Sequence, residues 1–188
     1  MNNTDHEGPA DSEKAFVDFS QQAKYCEEYL KIEEKIFQKL ISISDSCKKK
    51  ESKIGVMMVL GHFCNLNDCK IEGVRQMGIN FIKKYISFSL ESFSDEISEL
   101  ILKNSDGAFV IDKNGQILGT KMYLEVEHPS LDVPEGCGTR HITAASFSTR
   151  KEVESIFTLS EETSIVRVWK DGVVVEQYDP NESKDAKS

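Results

Sequence analysis

The chain has 188 residues, of which 39% are hydrophobic and 29% are charged, a balance typical of one soluble globular domain. Its formal net charge of −9 excludes a general affinity for nucleic acid, because duplex binding depends on lysine and arginine neutralising phosphates. No apolar run reaches the roughly 20 residues of a membrane span, and the polar, acidic N-terminus is not typical of a secretion signal. We therefore predict a cytoplasmic protein that contacts neither nucleic acid nor membranes and keeps its five cysteines reduced.

The N-terminal part of the chain has apolar residues at helical spacing. Between residues 13 and 45 these positions include Leu30, Phe37 and Leu40, and glutamates and lysines fill the other face. We predict one long amphipathic helix, or two with a break, packed on the domain that follows. A helix that binds a partner or forms a dimer is the alternative.

Changes in composition suggest where the domain begins and ends. The cluster Lys48-Lys49-Lys50 marks a linker or a helix end. Residues 1–12 and 180–188 are polar and are predicted to be tails. The helical extension then covers residues 13–49, and one domain covers residues 50–179.

Strand-like segments with turns between them follow the helix. Residues 54–60 form an apolar run closed by Gly61, which favours a buried strand. Residues 108–111 and 116–126 flank Lys113-Asn114-Gly115, and Asn-Gly between apolar runs predicts a hairpin. Further segments are assigned by the same patterns: helices at 81–90, 94–104 and 139–150, and strands at 156–159, 165–169 and 173–178. The sum is an α+β fold, one mixed β-sheet flanked by helices, with the long N-terminal helix outside it.

The first of three motifs that could carry chemistry is Asp106-Gly107-Ala108, where a loop enters a predicted strand. An aspartate there can hold a divalent metal or accept a proton from a hydroxyl, and small neighbours let a ligand approach the backbone. An ordinary loop aspartate before a strand is the alternative.

The second motif is the glycine-rich run Gly136-Cys137-Gly138-Thr139-Arg140-His141 at a predicted helix start. Such a turn exposes backbone N–H groups to an anion, and Thr139, Arg140 and His141 add donors that suit a polyphosphate. A capped helix with a structural arginine and histidine is the alternative.

The third motif is Ser160-Glu161-Glu162-Thr163, in a tight connection between two predicted strands. Its carboxylates and hydroxyls could bind a metal or orient phosphates. Ordinary turn chemistry explains the same residues.

In chain order, these three motifs resemble the signature series of diadenylate cyclase domains, also called DisA N-terminal or DAC domains. The apolar residues after each motif agree with the family as well, and residues 54–61 resemble its opening strand. Asp-Gly-Ala-Phe-Val-Ile, beginning at Asp106, is similar to the archaeal-type branch. The resemblance covers about residues 50–178.

The resemblance implies an enzyme that condenses two ATP molecules into cyclic di-AMP and releases two pyrophosphates. It implies a divalent metal, Mn²⁺ or Mg²⁺, and a homodimer whose subunits meet face to face, so that each ribose 3′-hydroxyl reaches the other α-phosphate. The catalytic residues implied are Asp106, Arg140 and His141, and the metal ligands are Asp106, Glu161 and Glu162. The ATP-binding residues implied are Gly107, Ala108, Tyr123, Leu124, Gly138, Thr139, Arg140, His141 and Ser160.

One departure from the family pattern keeps other functions open. The family has Arg-His-Arg in the second motif, whereas Ile142 follows Arg140-His141 here. A degenerate module that senses ATP or cyclic di-AMP without making it is therefore one alternative. An interaction protein that works through its N-terminal helix is another.

Overall fold

A computed structural model describes residues 10–63, 73–77, 106–126, 133–134 and 137–182. The predicted helices at 81–90 and 94–104 lie outside these residues. The described elements are, in chain order, α1 (Ala10–Lys50), β1 (Val56–Gly61), β2 (Val74–Gln76), β3 (Ala108–Asp112), β4 (Ile117–Leu124), α2 (Thr139–Phe147), β5 (Val153–Leu159), β6 (Val166–Lys170) and β7 (Val173–Tyr178).

Helix α1 is one continuous helix of 41 residues; of the two forms predicted, one long helix or two with a break, the structure shows the first. It begins at Ala10, three residues before the predicted start, and its last turn holds the three lysines. Cations there interact favourably with the partial negative charge at a helix C-terminus. No helix in the described part of the chain is both long and apolar enough to cross a membrane.

Part of the apolar stripe of α1 faces the core. Ile36, Leu40, Ile43 and Cys47 are buried, at the spacing of four, three and four residues expected for one helix face. Leu30 is 61% exposed, so the prediction that it faces the core is wrong. The described sheet covers this stripe only from the level of Ile32 onward.

The seven described strands form one sheet in the order β2-β4-β3-β1-β5-β6-β7. Strand β1 is parallel to β3, whereas all other neighbouring pairs are antiparallel. The sheet is therefore mixed, and the predicted α+β class is confirmed. Strand β2 has only three residues and was not predicted.

Two turns behave as their residues predict. The Asp112 carboxylate accepts hydrogen bonds from the backbone N–H groups of Asn114 and Gln116, at 2.8 and 2.9 Å, and Gly115 has a positive φ of 75°. Asp171 and Gly172 have φ angles of 48° and 84°, as a two-residue hairpin of type I′ requires. Both hairpins are thus set by local turn chemistry.

The sheet is covered on both faces, which makes three layers. The α1 side chains pack with one set of strand residues, including Met58, Phe109 and Leu159. Helix α2 packs on the other face through Ala144 and Phe147, among a second set of strand residues. Successive residues of a strand belong alternately to the core cluster under α1 and the core cluster under α2, as expected for a sheet that is buried on both sides.

Helix α2 ends three residues before the predicted Arg150. The Ser148 hydroxyl donates to the carbonyl oxygen of Ala145 (2.8 Å) and accepts from the N–H of Gly172 (3.0 Å). Residues 148–150 form a turn. The serine thus closes the helix and ties it to the β6–β7 hairpin.

Polar contacts attach α1 to the far end of the chain. The Lys170 ammonium lies 2.7 Å from the Glu33 carboxylate, and the Lys48 ammonium donates to the carbonyl oxygen of Pro180 (3.0 Å). Pro180 is buried, although it lies in the segment predicted to be a tail. The packed part of the chain therefore extends to the residues that contact Lys48.

Candidate functional site

Strand register brings separate parts of the chain to one end of the sheet. Val56 pairs with Leu159, and Met58 pairs with Phe109 in the parallel neighbour. Extending the second pairing by two residues sets Val56 level with Gly107. The starts of β1 and β3 therefore lie beside the end of β5. Neighbouring strands are about 4.8 Å apart, so the backbones near Gly107 and Leu159 are separated by about 10 Å.

A cavity of about 680 Å³ opens at this end of the sheet, within the size range of small-molecule sites. Residues of the second and third sequence motifs line it, together with Lys53, which belongs to no motif. The lining residues are Lys53, Cys137, Gly138, Thr139, Arg140, His141, Ser160, Glu161 and Glu162. We refer to this space as the motif cavity. Asp106 does not line it but lies two strands away, at the same sheet end.

The first motif has a backbone shape that only glycine accommodates well. Gly107 has a φ of 95°, and a Cβ built there would lie 2.9 Å from the carbonyl oxygen of Met122, closer than real contacts allow. The N–H of Gly107 donates to Oδ1 of Asp106 at 3.1 Å. The turn thus holds the Asp106 carboxylate at the start of β3, where it is exposed to solvent.

The second motif places backbone N–H donors at the start of α2. The carbonyl oxygen of Gly138 accepts from the N–H groups of His141 and Ile142, at 3.0 and 3.3 Å, and no side chain caps the helix. In the described residues, the N–H groups of Thr139 and Arg140 make no hydrogen bond. A Cβ built on Gly138 would meet nothing within 4 Å. An anion can therefore approach this helix N-terminus closely.

The guanidinium of Arg140 lies against the backbone of Gly55. A Cβ built on Gly55 would lie 2.6 Å from Cζ and 2.7 Å from Nη2 of Arg140, and closer still to Nη1. Arg140 is half-buried, and no hydrogen bond or ion pair joins its side chain to another residue in the described part of the chain. Because Gly55 has no side chain, the Arg140 guanidinium fits beside it, and its N–H groups are available to a ligand.

His141 is a neutral imidazole at pH 7. Burial, together with the positive charges of Arg167 and Arg140, lowers its pKa from 6.5 to about 4. The side chain of His141 is buried, and its ring centroid lies 6.0 Å from that of Trp169. Arg167 Nη1 lies 3.3 Å from Nε2, so a neutral Nε2 accepts this hydrogen bond and the ring proton is on Nδ1.

The third motif forms a compact turn that directs its carboxylates outward. The Ser160 hydroxyl accepts from the N–H of Thr163 (3.3 Å), and the Ser160 carbonyl oxygen accepts from the N–H of Ser164 (3.0 Å). Ser160 is buried, whereas Glu161 and Glu162 are exposed. The turn therefore presents two carboxylates to the motif cavity.

Tyr123 and Leu124, two of the implied ATP-binding residues, lie on opposite faces of β4. Tyr123 is 40% exposed, and the Arg75 guanidinium carbon lies 4.6 Å from its ring centroid. Leu124 is buried in the core cluster with Ala108. Of these two side chains, only that of Tyr123 is accessible at the surface.

Oxygen donors suited to a divalent metal are present, but they do not form a closed cage. Within the residues that the structure describes, no three metal-ligating side chains lie together. Asp106, Glu161 and Glu162 have exposed carboxylates at one end of the sheet. Mg²⁺ is commonly held by one or two carboxylates together with substrate phosphates. These residues fit an ion that is shared between protein and a phosphate-bearing ligand.

Sequence reasoning missed three residues at the site: Lys53, Gly55 and Arg167. Lys53 and Gly55 stand just before β1 and belong to no motif, and their role depends on the neighbours of β1 in the sheet. Arg167 reaches His141 from β6, and its Nε donates to Oε1 of Gln177 at 2.8 Å. Alternation along β6 was the available signal, because Arg167 interrupts an apolar strand.

Two further cavities lie along α1. One, of about 610 Å³, is lined by α1 residues from Gln38 onward together with Ile54, and the other, of about 460 Å³, lies between α1 and β5–β7. Neither is lined by a residue of the three motifs. We therefore assign the functional site to the motif cavity.

Two curated proteins named diadenylate cyclase are similar to part of this chain. The protein from Methanocaldococcus jannaschii is 38% identical over 79 residues, which cover 42% of this chain and 25% of that protein. The protein from Haloferax volcanii is 36% identical over 89 residues, which cover 46% of this chain and 33% of that protein. The similar segment thus spans a quarter to a third of these archaeal proteins.

Solved structures and a family model extend the comparison. A hypothetical membrane spanning protein from Bacillus cereus is similar with a TM-score of 0.50 and 20% identity, over 73% of this chain and 61% of that one. This similarity concerns the fold alone. The model of the DAC family, described as DisA bacterial checkpoint controller nucleotide-binding, matches residues 45–174. That match includes all three motifs and strands β1 to β6, and the chain therefore belongs to the DAC family, alongside archaeal relatives.

Proposed function

We propose that this chain is a diadenylate cyclase, which condenses two ATP molecules into cyclic di-AMP and releases two pyrophosphates. The observation that carries the proposal is the meeting of three motif segments at one end of the sheet, two of them around a cavity of about 680 Å³. Membership of the DAC family and the names of the archaeal relatives support it. We assign the activity to the domain at residues 50–179 and place it in the cytoplasm.

The triphosphate would bind at the start of α2. The N–H groups of Thr139 and Arg140, which bond to no described residue, are donors at the motif cavity, as are the Arg140 guanidinium and the Thr139 hydroxyl. Negative charge at a helix N-terminus is favoured by the helix dipole. Neutral His141 contributes a ring N–H rather than a charge, and Ser160 contributes its hydroxyl.

The attacking group would be the ribose 3′-hydroxyl, with Asp106 as its partner. An exposed carboxylate can accept the hydroxyl proton as the oxygen attacks phosphorus, while pyrophosphate leaves in line. Asp106, Glu161 and Glu162 would hold a Mn²⁺ or Mg²⁺ ion. That ion would neutralise charge on the phosphates.

Cyclisation needs two nucleotides that face each other, because each 3′-hydroxyl must reach the other α-phosphate. One chain offers one motif cavity, and Asp106 lies at its side on the exposed end of the sheet. A face-to-face homodimer would therefore complete the reaction. Positioning of the two nucleotides would supply much of the rate acceleration.

A catalytically inactive sensor of ATP or cyclic di-AMP is the second candidate. Ile142 stands where the family has a second arginine, and the described residues that line the motif cavity include two cationic side chains and two carboxylates. The sensor would bind the same ligands without turnover. Catalysis therefore distinguishes the two functions.

The test is incubation of the purified chain with ATP and Mn²⁺ or Mg²⁺, followed by mass spectrometry for cyclic di-AMP. We expect product from the native chain and none from Asp106→Asn, which removes the proton acceptor but keeps the side-chain volume. ATP affinity of the variant should stay within about tenfold, or about 1.4 kcal/mol. Wild-type turnover by Asp106→Asn would refute the role of Asp106. Binding without product in the native chain would favour the sensor.

A further inference from the structure

Lys53 lines the motif cavity, although it belongs to none of the three motifs. It precedes β1, and the register of β1 places it between the strand that starts after Asp106 and the strand that ends before Ser160. Its side chain is exposed. In the part of the chain that the structure describes, no carboxylate forms an ion pair with it.

The charges around the cavity show what this lysine contributes. Among the described residues that line it, the cationic side chains are Lys53 and Arg140, and the anionic ones are Glu161 and Glu162. His141 adds no charge at pH 7, because its pKa is lowered to about 4. Lys53 thus adds a second positive charge beside the two carboxylates, and a positive charge there attracts a polyanion.

We propose that Lys53 binds the phosphate chain of the nucleotide, as the second cation of the motif cavity beside Arg140. This inference rests on the proposed function and assigns a phosphate-binding residue to the same site. A lysine ammonium acts on a phosphate as a mobile point charge, whereas an arginine fixes it through two hydrogen bonds. In this division Arg140, held against Gly55, would orient the triphosphate. Lys53 would neutralise it.

An exposed lysine that only meets solvent is the competing interpretation. It predicts no loss of affinity on removal of the side chain. A phosphate-binding lysine predicts a loss that depends on the phosphates of the ligand and is absent for the nucleoside. The comparison of a nucleotide with its nucleoside therefore separates the two.

The experiment measures binding by isothermal titration calorimetry with 3′-deoxy-ATP and 3′-deoxyadenosine. Neither ligand has the attacking hydroxyl, so no turnover disturbs the measurement. The variants are Lys53→Ala, Lys53→Arg, and Lys151→Ala as an exposed lysine in the turn after α2, outside the cavity. We expect Lys53→Ala to weaken 3′-deoxy-ATP about tenfold and 3′-deoxyadenosine less than about twofold. Lys151→Ala should bind both ligands as the native chain does, and Lys53→Arg, which keeps the positive charge, should weaken 3′-deoxy-ATP less than Lys53→Ala does.

Three results would overturn the proposal. They differ in whether they also refute the proposed function. Equal affinity of Lys53→Ala and the native chain for 3′-deoxy-ATP refutes the role of Lys53 alone, provided that the native chain makes cyclic di-AMP. Equal weakening of the nucleotide and the nucleoside shows that the substitution disturbs the site and not a phosphate contact. No binding of 3′-deoxy-ATP by the native chain removes the proposed function together with this inference.

Discussion

Replacing Gly55 by alanine would add one methyl group where the Arg140 guanidinium lies. The added Cβ would stand 2.6 Å from Cζ, whereas ordinary van der Waals contact begins at 3.4 Å. The backbone of β1 is fixed by pairing with β3 and β5, so the flexible arginine side chain must move. A displacement of about 1 Å relieves the overlap.

The expected effect is a loss of activity without a loss of stability. A misplacement of about 1 Å in a positioning group can cost about a hundredfold in rate, and we expect cyclic di-AMP formation to fall by about that factor in kcat/KM. Gly55 is not among the residues with positive φ, so alanine fits its backbone. Alanine should leave the free energy of unfolding unchanged or raise it by about 0.4–1 kcal/mol.

The assay is steady-state cyclic di-AMP formation combined with thermal unfolding, for Gly55→Ala, Arg140→Ala and the double variant. Arg140→Ala removes the group that collides, so Gly55→Ala should have no further effect on kcat/KM in that background. If the two losses instead multiply, Gly55→Ala acts through β1 and not through Arg140. Native turnover by Gly55→Ala would show that Arg140 does not need the space that Gly55 leaves for its guanidinium.

Two other predictions concern stability. Leu40 has no exposed surface whereas Leu30 is 61% exposed, so Leu40→Ala should lower the free energy of unfolding in urea by about 2–5 kcal/mol. Leu30→Ala should change it by less than about 0.5 kcal/mol, and equal losses would contradict the described packing of α1. The pKa of His141 is lowered from 6.5 to about 4, so between these values the unfolded chain binds the proton and the folded chain does not. The free energy of unfolding should therefore fall by up to about 3 kcal/mol as the pH drops from 6.5 to 4. In His141→Gln, the free energy of unfolding should depend less on pH over this range. An unchanged pH dependence in the variant would assign the effect to other titratable groups.

Elements that depend on neighbouring residues could be predicted from the sequence. The first hairpin has a positive φ at Gly115, and the turn at Asp171-Gly172 has positive φ at both residues, which these residue types adopt easily. Helix α2 begins at Thr139 as predicted. Its early end was not predicted, because it depends on Ser148 bonding to Gly172 from a distant hairpin.

Features that depend on strand order could not be predicted in this way. Lys53 and Gly55 join the site only because β1 lies between β3 and β5, and no local pattern carries that information. Exposure of Leu30 likewise depends on how far the sheet extends beneath α1. Burial of Leu124 and exposure of Tyr123 follow from the orientation of β4 relative to the α2 layer. The roles of the motif residues in ATP binding, metal binding and catalysis stay predictions.

The central pairing of β1 with β5 also has a consequence for folding kinetics. Val59 pairs with Ile156 across about 100 residues of chain, and contacts at such sequence separation slow folding, because a large loop must close first. The motif cavity exists only after this closure, since its two walls come from the two distant segments. A nucleotide that binds only the form in which β1 and β5 are paired would stabilise that form by about 2.7 kcal/mol at a hundred times its Kd. A bound nucleotide would thus also keep the distant strands β1 and β5 paired.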